Sequence, residues 1–187
     1  MTSPARQALL RGMPATRDRA IRQGLTSTQT GAIGELAVAG GLLIASGGRL
    51  APFRPVADDD GIDLLIYDKR TRRCLPLQVK SRTRGDGAGG RTVQFDVQAT
   101  TYDSLGGGML LGAMMDGLQL KWAWLVPMSA LQHSARKGDG KLVVVASTID
   151  AANDKWARYR HRSFTTVAEA LIESLQLPMP RDGMARQ

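Results

Sequence analysis

The chain is poor in the residues that build disulfides and soft-metal sites. Its 187 residues include one cysteine, Cys74, and two histidines, His133 and His161. A single thiol excludes an internal disulfide and a cysteine-based zinc site, and the histidines are too distant in sequence to form a ligand pair. Cys74 lies in an apolar-flanked stretch with no base in view and reads as structural. No uninterrupted apolar run reaches membrane-spanning length. The longest, Ile33 to Ser46, is broken by Glu35 and several glycines, so no membrane partner is expected. A secretory apolar core is also missing from the N-terminus, where Arg6, Arg11, Arg17, Arg19 and Arg22 surround only Leu9, Leu10 and Met13 as bulky apolar residues before Ile21. Composition leaves an Arg-rich transit peptide open. The expectation is nonetheless a bacterial-type cytosolic (cytoplasmic) protein, because nothing resembles a cleavage site. No internal repeat and no interdomain linker is evident.

What is present is enough apolar residue for a core, 43% of the chain, and an excess of 25 Lys and Arg over 17 Asp and Glu, giving a net charge of +8. That charge favours a polyanionic partner through steering and counterion release.

The chain divides into a basic arm over 1–25, with a helical stretch from Thr16 to Gln23, one domain over 26–177, and a frayed tail over 178–187. Thr26, Ser27 and Thr28 offer N-cap side chains to a helix running to Ser46. Ile33, Leu36, Ala37, Leu43 and Ile44 mark its apolar face, and Gly47-Gly48 its end. Strands follow at Arg49–Arg54, Ile62–Tyr67, Leu75–Ser81 and Thr92–Val97. The first pair is separated by the acidic turn Asp58-Asp59-Asp60-Gly61. The second is joined by the charged turn Asp68–Arg73, and the last is linked by a glycine-rich hairpin tip at 84–90. A short helix over Ala99–Leu105 precedes two buried strands, Met109–Met115 and Leu120–Val126, turning at Asp116-Gly117. A helix from Pro127 to Ser134, a turn over Lys137–Lys141, a strand over Leu142–Ala146 and a final helix complete the order. Thr165 and Thr166 can cap that last helix, and Val167, Leu171 and Leu175 share one of its faces. The fold class is α/β, a mixed central sheet flanked by helices.

Strand parity carries the chemistry. With the turn centred between Arg70 and Thr71, Asp63 lies opposite Gln78, and Asp63, Gln78 and Lys80 share a face, while Leu77 and Val79 face the core. A carboxylate and an ammonium in a sheet are costly to bury unless paired or coordinated. A divalent cation resolves this: the Asp63 carboxylate, the Gln78 amide oxygen and the Val79 backbone carbonyl are hard oxygen donors suited to Mg²⁺ or Mn²⁺. Lys80 beside them can orient or deprotonate a water, or stabilise charge on a phosphate. Glu35 adds a carboxylate from the preceding helix, where Gly31 and Gly34 permit close approach to the sheet.

These residues resemble the PD-(D/E)XK nuclease superfamily, with its restriction-endonuclease-like core. The resemblance rests on Gly34-Glu35 on the first helix, Gly61-Ile62-Asp63 on the second strand and Gln78-Val79-Lys80-Ser81 on the third. It spans about Thr28 to Val126 and is greatest to small bacterial and junction-resolvase-like members. It implies Asp63 and Gln78 as metal ligands, Lys80 as the catalytic lysine and Glu35 as a further ligand or water-positioning acid. It also implies a homodimer acting on two strands. The departure is Gln78, where the usual residue is acidic.

Other features read more plainly. Asp58, Asp59 and Asp60 fit a solvated turn. Gly31-Ala32-Ile33-Gly34 lacks the lysine of a phosphate loop. Arg82, Arg84 and Arg91 near the hairpin, and Lys155, Arg158, Arg160 and Arg162 among aromatics, are candidate nucleic-acid contacts, with a basic helix end around a core Trp156 as the alternative. Trp122 and Trp124 read as packing residues. The functional expectation is a Mg²⁺-dependent endonuclease hydrolysing DNA phosphodiesters, on branched or processed DNA. The alternatives are a nuclease-fold binding module weakened at Gln78 and an interaction subunit in a repair or defence complex.

Overall fold

The computed structural model describes residues 25–57, 61–83, 91–104, 107–134, 136–138, 140–150 and 153–176. Expectations for the arm at 1–24, for Asp58–Asp60, for the hairpin tip with Arg84 and for the tail lie outside them. The elements are α1 (Ser27–Ala45), β1 (Leu50–Phe53), β2 (Leu64–Asp68), β3 (Arg73–Thr83), β4 (Thr92–Gln98), α2 (Ala99–Ser104), β5 (Met109–Asp116), β6 (Gln119–Pro127), α3 (Met128–Ser134), β7 (Arg136–Gly138), β8 (Lys141–Ser147), a 3-10 turn (Ala157–Tyr159), β9 (Arg160–His161) and α4 (Phe164–Gln176).

The main sheet is mixed, in the order β1-β2-β3-β5-β6-β9. β1, β2 and β3 form an antiparallel meander, β3 and β5 run parallel, and β6 returns antiparallel to β5. A parallel neighbour needs a crossover, and β4 with α2 supplies it. This corrects the expectation that Thr92–Val97 closes a hairpin with β3: β4 pairs with β8, in a second sheet ordered β4-β8-β7. The last of these strands occupies part of the span read as a turn at Lys137–Lys141.

Two cores result, one on each face of the main sheet. On one face α1 and α4 bury Val38, Leu42, Val167 and Leu171 against Leu64, Ile66, Leu77, Val79, Leu111 and Leu125. On the other, the second sheet and α3 enclose Phe95, Val97, Leu110, Trp124, Val144 and Trp156. β5 and β6 alternate between the two cores, Leu111 and Leu125 facing the helices and Leu110 and Trp124 the second sheet, as the pleat requires.

Thr26 caps α1 through a reciprocal capping box. The Gln29 N–H donates to Thr26 Oγ1 at 3.2 Å, and the Thr26 N–H donates to Gln29 Oε1 at 2.8 Å. The helix ends where Gly47 and Gly48 take positive φ. Its buried face differs from the expected one: Gly34, Val38 and Leu42 face the sheet, while Leu36 is 57% and Ile44 82% exposed. The cause is backbone proximity. A Cβ at Gly34 would overlap the Ser81 side chain, and one at Gly41 would overlap the Phe164 ring. By length and composition α1 is apolar enough to cross a membrane, contrary to the expectation from its interrupted sequence, yet in the fold it is seated on the sheet through these residues. At α4 the cap is Ser163, whose Oγ accepts the Thr166 N–H at 3.2 Å, rather than Thr165 or Thr166.

Candidate active site where β2 leaves β3

β2 and β3 pair Asp68 with Arg73, Tyr67 with Cys74 and Leu64 with Leu77, the register expected from a turn centred between Arg70 and Thr71. The ladder stops one residue short of Asp63. There the Asp63 N–H donates to the Leu77 carbonyl at 3.1 Å, and the Val79 N–H donates to Asp63 Oδ2 at 2.6 Å. A side-chain carboxylate therefore takes the place of a strand carbonyl at the point of divergence. Successive residues of a strand direct their backbone groups to alternate sides, so the Val79 carbonyl faces the same side as its N–H, toward Asp63. Gly61, at φ +68°, sets the approach; a Cβ there would overlap the Thr101 side chain of α2.

Gln78 stands beside Leu110, and Lys80 beside Gly112, both on the face that carries the second core. Gln78 is 3% exposed, and its Oε1 has no hydrogen-bond partner among the described residues. The other such atoms among the described residues are the indole nitrogens of Trp124 and Trp156, which are donors, so Gln78 Oε1 is the lone orphaned acceptor of the three. Lys80 is half-buried, and the ring of Phe95 lies over Gly112 next to it.

Glu35 approaches from the other layer. α1 rests on the face of Leu77, Val79 and Ser81, and Glu35 directly follows Gly34, which abuts Ser81. Glu35 is thus at the same end of the sheet as Asp63 and Lys80 but comes from the opposite face to Gln78 and Lys80. Its Oε2 accepts a hydrogen bond from Arg54 Nη2 at 2.9 Å, just past the end of β1. Among the described residues no three His, Cys, Asp or Glu side chains cluster as a ready-made metal site. The candidate donors at this end of the sheet are instead one carboxylate, one amide oxygen and one backbone carbonyl, with the Glu35 carboxylate on α1.

The basic candidates divide by environment. Arg82 is exposed, its Nε donating to the Gln94 carbonyl at 3.2 Å, and Arg91 is exposed beside β4. Arg158 is exposed and lies over the Tyr159 ring at 4.7 Å, while Lys155 lies over Trp156 at 5.3 Å. Arg160 is a brace: its guanidinium donates to the carbonyls of Ser147 at 3.4 Å, Ile149 at 2.7 Å and Asp150 at 2.7 Å. Arg162 pairs with Asp150, and both Arg160 and Arg162 stack on Trp122. Trp156 and Trp124 are fully buried, which fits the packing role read for Trp124.

Two features escaped the sequence. Asp68, placed in a charged turn, is fully buried and holds Arg49 by a two-point fork at 2.9 and 2.7 Å, with further bonds from the Arg70 N–H and Thr71 hydroxyl. The hydrogen bond from Arg49 leads the causes that keep its carboxyl far below the ordinary range. Cys74, read as structural, is exposed on β3.

No family model matches the sequence, nor does any curated protein sequence. The fold does match. The structure of the bacterial homing endonuclease I-Ssp6803I superposes with a TM-score of 0.52 at 14% identity, covering 80% of this chain and 94% of that one. At that identity the likeness is one of fold: a mixed central sheet flanked by helices, as in that endonuclease.

Proposed function

We propose that the chain is a metal-dependent nuclease of the PD-(D/E)XK type acting on DNA, with Asp63, Gln78 and the Val79 carbonyl as cation ligands, Lys80 as the catalytic lysine and Glu35 as an accessory acid. One observation carries this reading: Gln78 Oε1 is buried without a partner among the described residues, one residue from the amide that Asp63 holds at 2.6 Å. A buried orphan acceptor calls for an explanation, and a bound cation is one that also uses the neighbouring carboxylate. The donor set is all oxygen and carries little charge, which fits Mg²⁺ or Mn²⁺ and not zinc.

A cation held there would stabilise the charge that develops on a phosphate during displacement. The protein's own groups do the rest. Asp63 is fixed by the Val79 amide and needs little reorganisation. Lys80 offers an ammonium within the same strand to a phosphate oxygen or to the incoming water. Exposed Arg82, Arg91, Lys155 and Arg158 supply sequence-independent grip on the backbone, in keeping with the +8 charge. The likeness to a homing endonuclease supports DNA as the substrate.

The test is cleavage of supercoiled plasmid and branched DNA by the full chain with Mg²⁺, with Mn²⁺ and with chelator. Metal-dependent cleavage lost in Asp63→Ala and Lys80→Ala supports the proposal. Salt-sensitive DNA binding without cleavage under any metal replaces it with the binding-module reading, which the neutral Gln78 would explain.

A further inference from the structure

Two arginine–carboxylate pairs bracket β1, and they are built differently. At its start, Arg49 grips Asp68 by two bonds of 2.9 and 2.7 Å around a carboxylate with no exposed surface. At its end, Arg54 makes a one-point contact with Glu35 at 2.9 Å, with side chains 52% and 18% exposed. The first is a lock, since removing Arg49 strands the buried Asp68 carboxylate. The second is a pair that water and ions compete for easily, so it contributes little to stability and can exchange partners.

Its position gives that exchange a use. Glu35 is the lone charged residue of α1, and most of its side chain is covered, so it needs a counter-charge. Arg54 directly follows Phe53, which pairs with Leu65, two residues from Asp63. Glu35 directly follows Gly34, which abuts Ser81, the residue after Lys80. The pair therefore sits at the rim of the site, with a half-exposed guanidinium whose planar fork suits a phosphodiester.

We infer that Arg54 is a positioning residue that exchanges its partner during function: it holds Glu35 in place before a divalent cation enters, and turns to a nucleic-acid phosphate once Glu35 faces the cation. This rests on the nuclease reading above. The pair keeps the site preorganised while neutralising the acid. It also makes Arg54 a competitor of the cation for Glu35, so cation binding and phosphate binding reinforce each other through one side chain.

The test is calorimetric titration of the metal-free full chain with MnCl₂, for wild type, Arg54→Ala and Arg54→Lys. Binding of a short labelled duplex is measured alongside in the Lys80→Ala background, with and without Mn²⁺. Removing a competing positive charge beside the site should tighten Mn²⁺ binding by about threefold or more. Arg54→Ala should also lose most of the gain in duplex affinity that Mn²⁺ gives the Arg54 protein. Arg54→Lys should fall between, keeping the charge but not the fork. Unchanged or weaker Mn²⁺ binding in Arg54→Ala, with only a lowered melting temperature, makes Arg54 a strap between β1 and α1 and overturns the inference alone. A wild-type chain that binds no Mn²⁺ overturns the site reading, and the inference with it.

Discussion

The carboxylate of Asp63 accepts the N–H of Val79 at 2.6 Å where β2 parts from β3. One group thus ends a ladder and anchors the candidate site. Structure and chemistry at this residue separate by substitution. Asp63→Ala leaves the Val79 N–H without this acceptor and should cost about 1–3 kcal/mol, as well as abolishing cleavage. Asp63→Asn keeps an acceptor oxygen and should retain most of the stability while still losing cleavage. Urea denaturation beside a plasmid assay reads both; full activity in Asp63→Asn would remove Asp63 from the metal site.

The Arg49–Asp68 lock sets an acid limit. The Asp68 carboxyl titrates lower in the fold than in the unfolded chain, held down first by the hydrogen bond from Arg49. A depressed carboxylate contributes stability that is fully present above its unfolded value, near 4, and is lost as pH falls toward the folded value. Asp68→Asn, which weakens the charge-assisted bonds from Arg49, should destabilise the chain by about 1–3 kcal/mol at pH 7. The gap to wild type should narrow steadily below about pH 4. A gap that is unchanged between pH 7 and pH 3 would contradict this.

The face of α1 is testable through its glycines. Gly34→Ala drives a methyl group into the Ser81 side chain and should cost about 1–3 kcal/mol; Ser81→Gly in the same chain should recover part of that. Leu42→Ala, in the core, should cost about 2–5 kcal/mol. Ile44→Gln, on the 82% exposed side, should stay within about 0.5 kcal/mol. Thermal or urea melts distinguish the two faces directly, and a large loss at Ile44 would reverse the assignment.

The arginines of the 155–162 segment should part company in a DNA-binding assay. Arg160→Ala removes three bonds to carbonyls and should lower the melting temperature. Arg158→Ala should leave the melt unchanged while weakening DNA binding and shallowing its salt dependence. Binding that stays flat between low and physiological salt would point to a different partner.

Legibility followed the range of the interactions. The β2–β3 register was readable because a short turn and strand alternation define it locally, and that alone sets Asp63 near Gln78 and Lys80. The buried face of α1 was not, because the helix is apolar nearly all round and periodicity cannot select a side; close backbone approach at Gly34 and Gly41 decides it. The pairing of β4 with β8 depends on partners more than forty residues apart, Thr92 with Ser147 at one end and Gln98 with Lys141 at the other. Asp68 looked like one charge among several, and its burial follows only once Arg49 is brought across from the end of α1. Strand parity and a motif together pick out the site residues, and the fold adds what they lack: which backbone amide Asp63 holds, which acceptor is orphaned among the described residues and which arginine holds Glu35.

The most direct measurement is thermal melting of wild type and Gln78→Glu, each metal-free and with Mn²⁺. The account predicts that Mn²⁺ raises the wild-type melting temperature by binding the folded state. Gln78→Glu, with a second carboxylate beside Asp63, should melt lower than wild type without metal and show a larger rise with it. Melting temperatures that ignore Mn²⁺ in both proteins would contradict a cation site at Asp63 and Gln78.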